Sequence, residues 1–173
     1  MGGSKSKNKG NSFERVIAKD LDGIYNFTKG FSRSAGSGAK FGGKNSVNLN
    51  INNRESSKAM LGDIQTPDGV NLIVECKSYK DLSFHQLLQG ECKQVDKWLH
   101  QLNTDIETFR KVFGEILKGI LVFKINSKGT YMMIQQQYIV PTKAVEMNNV
   151  GIYGEYYIIS WDYVKDNPTL LNY

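Results

Sequence analysis

The sequence predicts a single α/β domain, a central β-sheet flanked by helices, and three observations carry that expectation. The chain has 173 residues and is 40% hydrophobic, enough for one substantial core and too little for a second full domain. Apolar residues recur at helical spacing in two stretches, one beginning near Ser12 and one running from Ser83 to about Phe113. Short runs rich in β-branched and aromatic residues, bounded by turn-forming residues, lie at Asn71–Lys77, Ile120–Ile125, Thr130–Ile134 and Tyr156–Trp161.

Residues 1–11, with Lys5, Lys7 and Lys9, read as a flexible basic arm, and residues 12–173 as the domain. Ser12 is a plausible N-cap, and Phe13, Val16, Ile17, Leu21 and Ile24 share one face of the helix that follows. Glu14 borders that face, in the first turn, where the helix dipole favours negative charge. Phe31–Ser34 reads as a short strand, followed by tight turns at Ala35–Gly38 and Gly42–Gly43. The polar, Asn- and Gly-rich stretch at about 35–57 is long for a simple connection. Two readings of it stand, a mobile loop facing a substrate and a disordered insertion.

Met60–Ile64 is expected to be a short strand entering a turn at Thr66–Gly69. In Asn71–Lys77 the period of two puts Ile73, Glu75 and Lys77 on one side and Val74 and Cys76 on the other. Along the 83–113 helix, Trp98, Leu99 and Leu102 read as core, and Gly90 as a weak point. Ile120–Ile125 and Thr130–Ile134 form a hairpin around Asn126–Gly129, and Tyr156–Trp161 is a last strand near the sheet edge.

Twenty-two Lys and Arg against seventeen Asp and Glu leave a net charge of +5, which favours polyanionic partners without identifying one. No apolar run is long enough for a spanning helix, and the opening residues lack the apolar centre of a secretory signal, so a cytoplasmic protein without membrane partners is expected. Cys76 and Cys92 read as reduced core thiols; with His85 and His100 they lack the spacing of a zinc knuckle. Any metal must therefore be held by oxygen ligands.

Asp63 and Glu75 end adjacent predicted strands, and Lys77 follows two residues later on the same side as Glu75. The carboxylates are hard ligands suited to Mg²⁺, and phosphodiester hydrolysis uses such an ion beside a cation that stabilises charge on the attacked phosphate. Whether Lys77 is itself a base turns on its pKa, which would have to be strongly depressed.

Gly62-Asp63-Ile64 followed by Val74-Glu75-Cys76-Lys77 resembles the signature of the PD-(D/E)xK nuclease superfamily, with Gly62 where the motif has proline. Gly10-Asn11-Ser12-Phe13-Glu14-Arg15 and Arg33-Ser34-Ala35-Gly36-Ser37 are similar, in order, to elements of the archaeal and phage Holliday junction resolvases. The resemblance implies a restriction-endonuclease-like fold with a mixed sheet, and a nuclease domain of a bacterial or archaeal host cell or its phage. It implies Mg²⁺, with Mn²⁺ as a substitute, held by Glu14, Asp63, Glu75 and the carbonyl of Cys76. Lys77 would contact the scissile phosphate or its water, Ser34 and Gln94 would lie near the centre, and Arg33, Lys40 and Lys44 would contact DNA. The substrate it implies is a four-way junction cut by a homodimer, with duplex or flapped DNA, or DNA binding without catalysis, as alternatives. The later strands, with Tyr156–Trp161, are the expected dimer surface.

Overall fold

The computed structural model describes residues 3–34, 53–139 and 150–171; at residues 3–8, 84 and 88 it describes the backbone alone. Helix α1 (Gly3–Ile24) leads into strand β1 (Ser32–Arg33), a short helix α2 (Arg54–Lys58), β2 (Ile64–Gln65) and β3 (Leu72–Tyr79). Helices α3 (Phe84–Leu88) and α4 (Lys93–Phe113) cross to β4 (Lys118–Ile125), and β5 (Gly129–Gln135), β6 (Gly151–Tyr153), β7 (Tyr156–Ser160) and α5 (Trp161–Asp166) complete the chain. The seven strands form one sheet in the order β1-β2-β3-β4-β5-β7-β6. Among the described strands β3 and β4 pair in parallel and the other neighbours are antiparallel, so the sheet is mixed.

Alternation along β3 divides the core. Leu72, Val74 and Cys76 pack with Phe13, Ile17, Leu21 and Ile24 of α1, whereas Ile73 packs with Val95, Trp98, Leu99, Leu102 and Phe109 of α4. Helices thus cover both faces, as expected of a restriction-endonuclease-like chain. Close contact between α4 and β4 requires Gly119, where a Cβ would stand 2.5 Å from the Ile106 side chain.

Several boundaries differ from expectation for identifiable reasons. α1 begins at Gly3 rather than Ser12, because the packed face from Phe13 onward supplies a nucleus and propagating a helix costs less than starting one. The long helical stretch breaks at Gly90, whose φ of 72° leaves the α region. The polar stretch expected to run to about 57 contains α2 at its end, capped by Asn53, whose side chain accepts the Ser56 N–H at 2.9 Å; residues 35–52, with Lys40 and Lys44, lie outside the described residues. β7 lies near the sheet edge, as expected, with β6 outside it. Tyr156 and Trp161 are buried, with Tyr156 donating to Asn103 of α4 and Trp161 to Asp20 of α1, so these rings fill the core and cannot serve as a dimer surface.

Lys58 is fully buried, and its ammonium meets Glu55 at 2.6 Å and the carbonyls of Pro67 and Val70 at 3.1 Å each. It ties α2 to the turn between β2 and β3, the turn that sets the register of Asp63 on Glu75. Lys58→Ala is expected to cost about 3 kcal/mol in a denaturant melt, the low end for breaking a buried pair because Glu55 keeps some solvent. A loss below about 1 kcal/mol would show that the turn holds without it.

Candidate active site

The short strand β2 starts one residue after Asp63, whose backbone is pinned on both sides. Its N–H donates to the Val74 carbonyl at 2.8 Å, and its own carbonyl accepts the Ser34 N–H at 2.9 Å. Its side chain is fixed as well, since Oδ2 accepts the Cys76 N–H at 2.9 Å. Lys77 Nζ stands 3.8 Å from the same Oδ2 and pairs directly with Glu75 Oε1. Asp63, Glu75 and Lys77 therefore meet, as their spacing predicts.

Glu75 is only 1% exposed, and its second oxygen, Oε2, has no hydrogen-bond donor among the described residues. Burial, and then the neighbouring Asp63 charge, push its carboxyl up to about 8 against the pull of Lys77. Burial by itself would lower the Lys77 ammonium, but the charges of Glu75 and Asp63 with the Glu75 hydrogen bond raise it above its ordinary value. Lys77 is thus held as a positive charge in the metal-free centre. The Cys76 thiol, buried and beside Asp63, is held well above its usual range and stays protonated.

Glu14 is buried and paired with Arg33, on the α1 side of β3, where its charge reaches Cys76. Ser34 is buried, and its hydroxyl has no hydrogen-bond partner among the described residues. Gln94 lies at the first turn of α4, accepting the Tyr79 hydroxyl at 3.2 Å beyond Lys77 on β3. No group of three or more His, Cys, Asp or Glu able to hold a metal ion occurs among the described residues.

One acid escaped the sequence reading. Asp105 lies on the buried face of α4 with Leu102 and Phe109. Burial, with a contribution from Asp63, raises it to about 6, and its charge in turn raises Glu75. The legible signal was an acid three residues after Leu102 and four before Phe109, on an otherwise apolar helical stripe.

A folded pKa above the unfolded value means that stability is greatest while the group is protonated in both states. Between about 4.5 and about 8 the unfolded chain releases the Glu75 proton and the folded chain keeps it, so the metal-free protein loses stability as pH rises through that window. Thermal melts in chelator should follow this trend, and Glu75→Gln should flatten it. An equally steep trend in Glu75→Gln would assign it elsewhere.

Two carboxylates and a lysine at the joined ends of β2 and β3, in a mixed sheet with helices on both faces, define a member of the PD-(D/E)xK nuclease superfamily. Residues 5–162 match the family described as "Phage putative PDDEXK endonuclease", and the chain belongs to that family. Among solved structures it is similar to a Holliday junction resolvase, Hjc of Archaeoglobus fulgidus, at 19% identity and a TM-score of 0.36, over 89% of this chain and 85% of that one. That likeness is too slight to carry an argument about substrate. No curated protein matches the sequence.

Proposed function

We propose that this protein is a Mg²⁺-dependent DNA endonuclease acting on duplex or flapped DNA, with Mn²⁺ able to substitute. One observation carries the reading: Asp63 and Glu75 converge beside Lys77 around a buried carboxylate oxygen that no donor among the described residues satisfies. Crowded carboxylates, one of them raised by the other's charge, and an unpartnered hard acceptor suit a divalent cation. Two carboxylates suffice for Mg²⁺, which ordinarily leaves its remaining positions to water and substrate phosphate.

Asp63 and Glu75 would hold the ion, with the Cys76 carbonyl as a further oxygen. Bound there, it supplies Lewis-acid polarisation of a phosphoryl oxygen and lowers the pKa of a water. The chain's own groups do the rest. The Cys76 N–H keeps the Asp63 carboxylate in one orientation, so little reorganisation remains when the substrate arrives. The Lys77 ammonium stabilises negative charge building on the attacked phosphate, in a partly buried setting where its field is weakly screened. Arg33, which pairs with Glu14, would contact a backbone phosphate. The net charge of +5 adds attraction that weakens with salt.

A second reading, paired cutting of four-way junctions by a two-fold dimer, is favoured by the Glu14–Arg33 pair. It joins the two sequence stretches that resemble the resolvases. One chain carries one centre, so paired incisions require two chains. A panel of duplex, flap and four-way DNA, each with Mg²⁺ and with chelator, tests both readings. Cutting of duplex or flap in Mg²⁺ alone is expected. Paired incision confined to the four-way substrate would favour the second reading, and binding without Mg²⁺-dependent cutting would leave a non-catalytic DNA-binding protein.

A further inference from the structure

We propose that Tyr79 is a stacking platform for an unpaired base beside the scissile phosphate, a role that rests on the nuclease reading above and selects flapped DNA over fully paired duplex. Along β3 the period of two that puts Glu75 and Lys77 on the α4 side puts Tyr79 there too, roughly 6.5 Å beyond Lys77. A nucleotide next to a phosphate held by Lys77 comes within reach of the ring. The approach to it is open. β2 pairs with β3 at Val74, the Cys76 N–H goes to the Asp63 side chain, and no described strand pairs with that edge beyond Cys76.

Tyr79 is the outer end of a row of rings. Its ring lies 5.1 Å from that of Trp98 and is inclined to it by 67°, Trp98 lies 6.1 Å from Phe123, and Phe123 lies 5.6 Å from Tyr131. Trp98 and Phe123 are buried, whereas Tyr79 is 41% exposed. An inclination of 67° sets the edge of one ring against the face of the other, so at least one face of Tyr79 is left uncovered by the indole. The residue is also held from both ends. Its hydroxyl donates to Gln94 Oε1 at 3.2 Å, and its backbone carbonyl accepts the Asn126 N–H at 3.1 Å. Gln94 is then a positioning residue that acts through Tyr79.

A ring fixed in this way loses little freedom when a base settles on its open face, and stacking accepts any base because each has a π-face. Bases of an intact duplex are paired and stacked on one another, and extracting one costs energy; a flap presents them already unpaired. Shielding Trp98 from water does not by itself call for this residue. A leucine would cover the indole and need neither a hydroxyl nor Gln94.

Flap DNA carrying the fluorescent base 2-aminopurine at the unpaired positions next to the branch, one per substrate, tests the platform against duplex of the same sequence. Titrations in chelator keep cutting out of the measurement. Wild-type protein should quench the fluorescence as the base stacks, and should bind flap more tightly than duplex. Tyr79→Phe keeps the ring and should keep the quenching and most of the preference. Tyr79→Leu keeps an apolar cover on Trp98 but should lose the quenching. It should bind flap about 10- to 100-fold more weakly, the scale of one base–aromatic stack, with duplex affinity within about 2-fold of wild type. In Mg²⁺ the same loss should appear as a raised KM for flap with kcat held.

Fluorescence unchanged at every such position on the wild-type protein would overturn the platform, whatever the variants do. So would equal losses for flap and duplex in Tyr79→Leu, the mark of a ring that only supports Trp98. A chain that quenches the flap base but never cuts retains the stacking site and loses the nuclease reading. One that cuts flap and duplex alike without quenching retains the nuclease reading and loses the stacking site.

Discussion

Asp63→Ala and Glu75→Ala lose Mg²⁺-dependent cleavage by more than about 100-fold while remaining folded. Loss of a group that merely orients a metal ligand already costs about 10- to 100-fold, and removing a ligand itself should cost more. The two variants differ in stability, which makes the pair informative. Asp63→Ala orphans the Cys76 N–H and should be somewhat less stable than wild type. Glu75→Ala removes an almost wholly buried carboxyl with an unpartnered oxygen, so above about pH 8, where the wild-type group is ionised, the metal-free variant should gain on wild type. Single-turnover cleavage beside thermal melts reads both effects. A folded Asp63→Ala variant cutting at the wild-type rate would sink the assignment of the centre.

Lys77→Met should lower the cleavage rate by about 10²- to 10³-fold, the scale for losing one fixed group that stabilises charge in the transition state. A second effect acts in the same direction. Lys77 pulls the Glu75 pKa down, so its loss moves Glu75 further up and leaves less of it ionised at neutral pH. The variant should accordingly need more Mg²⁺ for half-maximal rate, and that requirement should ease as pH rises. Lys77→Arg should recover little, because a planar guanidinium cannot occupy the position of a compact ammonium between Glu75 Oε1 and Asp63 Oδ2. Full activity in Lys77→Met, measured at saturating DNA and Mg²⁺, would remove the lysine from the mechanism.

The charged pair of β3 was legible because a strand has a period of two: placing Glu75 and Lys77 on one side and Cys76 on the other needed only the alternation, and the two core clusters follow the same division. Asp63 was legible through the turn residues that follow it, which bring β2 back along β3. Asp105 was not, because it lies on the far side of a connection and its charge reaches Asp63 and Glu75 only once α4 lies on the sheet. An acid on an apolar helical face gives a local warning but no address. Tyr156–Trp161 shows the same gap from the other side. Its aromatic content was visible, while its burial against Asn103 and Asp20 depends on helices distant in sequence. The extension of α1 to Gly3 arose from cooperativity, which residue propensities and a capping serine do not express.

The parallel pairing of β3 with β4 also sets the time at which this centre comes into being. The Asp63–Cys76 bond spans 13 residues and closes a short loop, whereas the β3–β4 ladder waits for α3 and α4 to be synthesised and packed. Closing longer loops costs more entropy, and such distant pairings are the slow ones. A nascent chain that has emerged from the ribosome as far as Tyr79 already carries Asp63, Glu75 and Lys77, but not the α4 layer against which Glu75 is buried. Its Glu75 carboxylate is then still open to water. The crowded, water-poor centre is a property of the finished chain, and a nuclease built this way stays unarmed during its own translation.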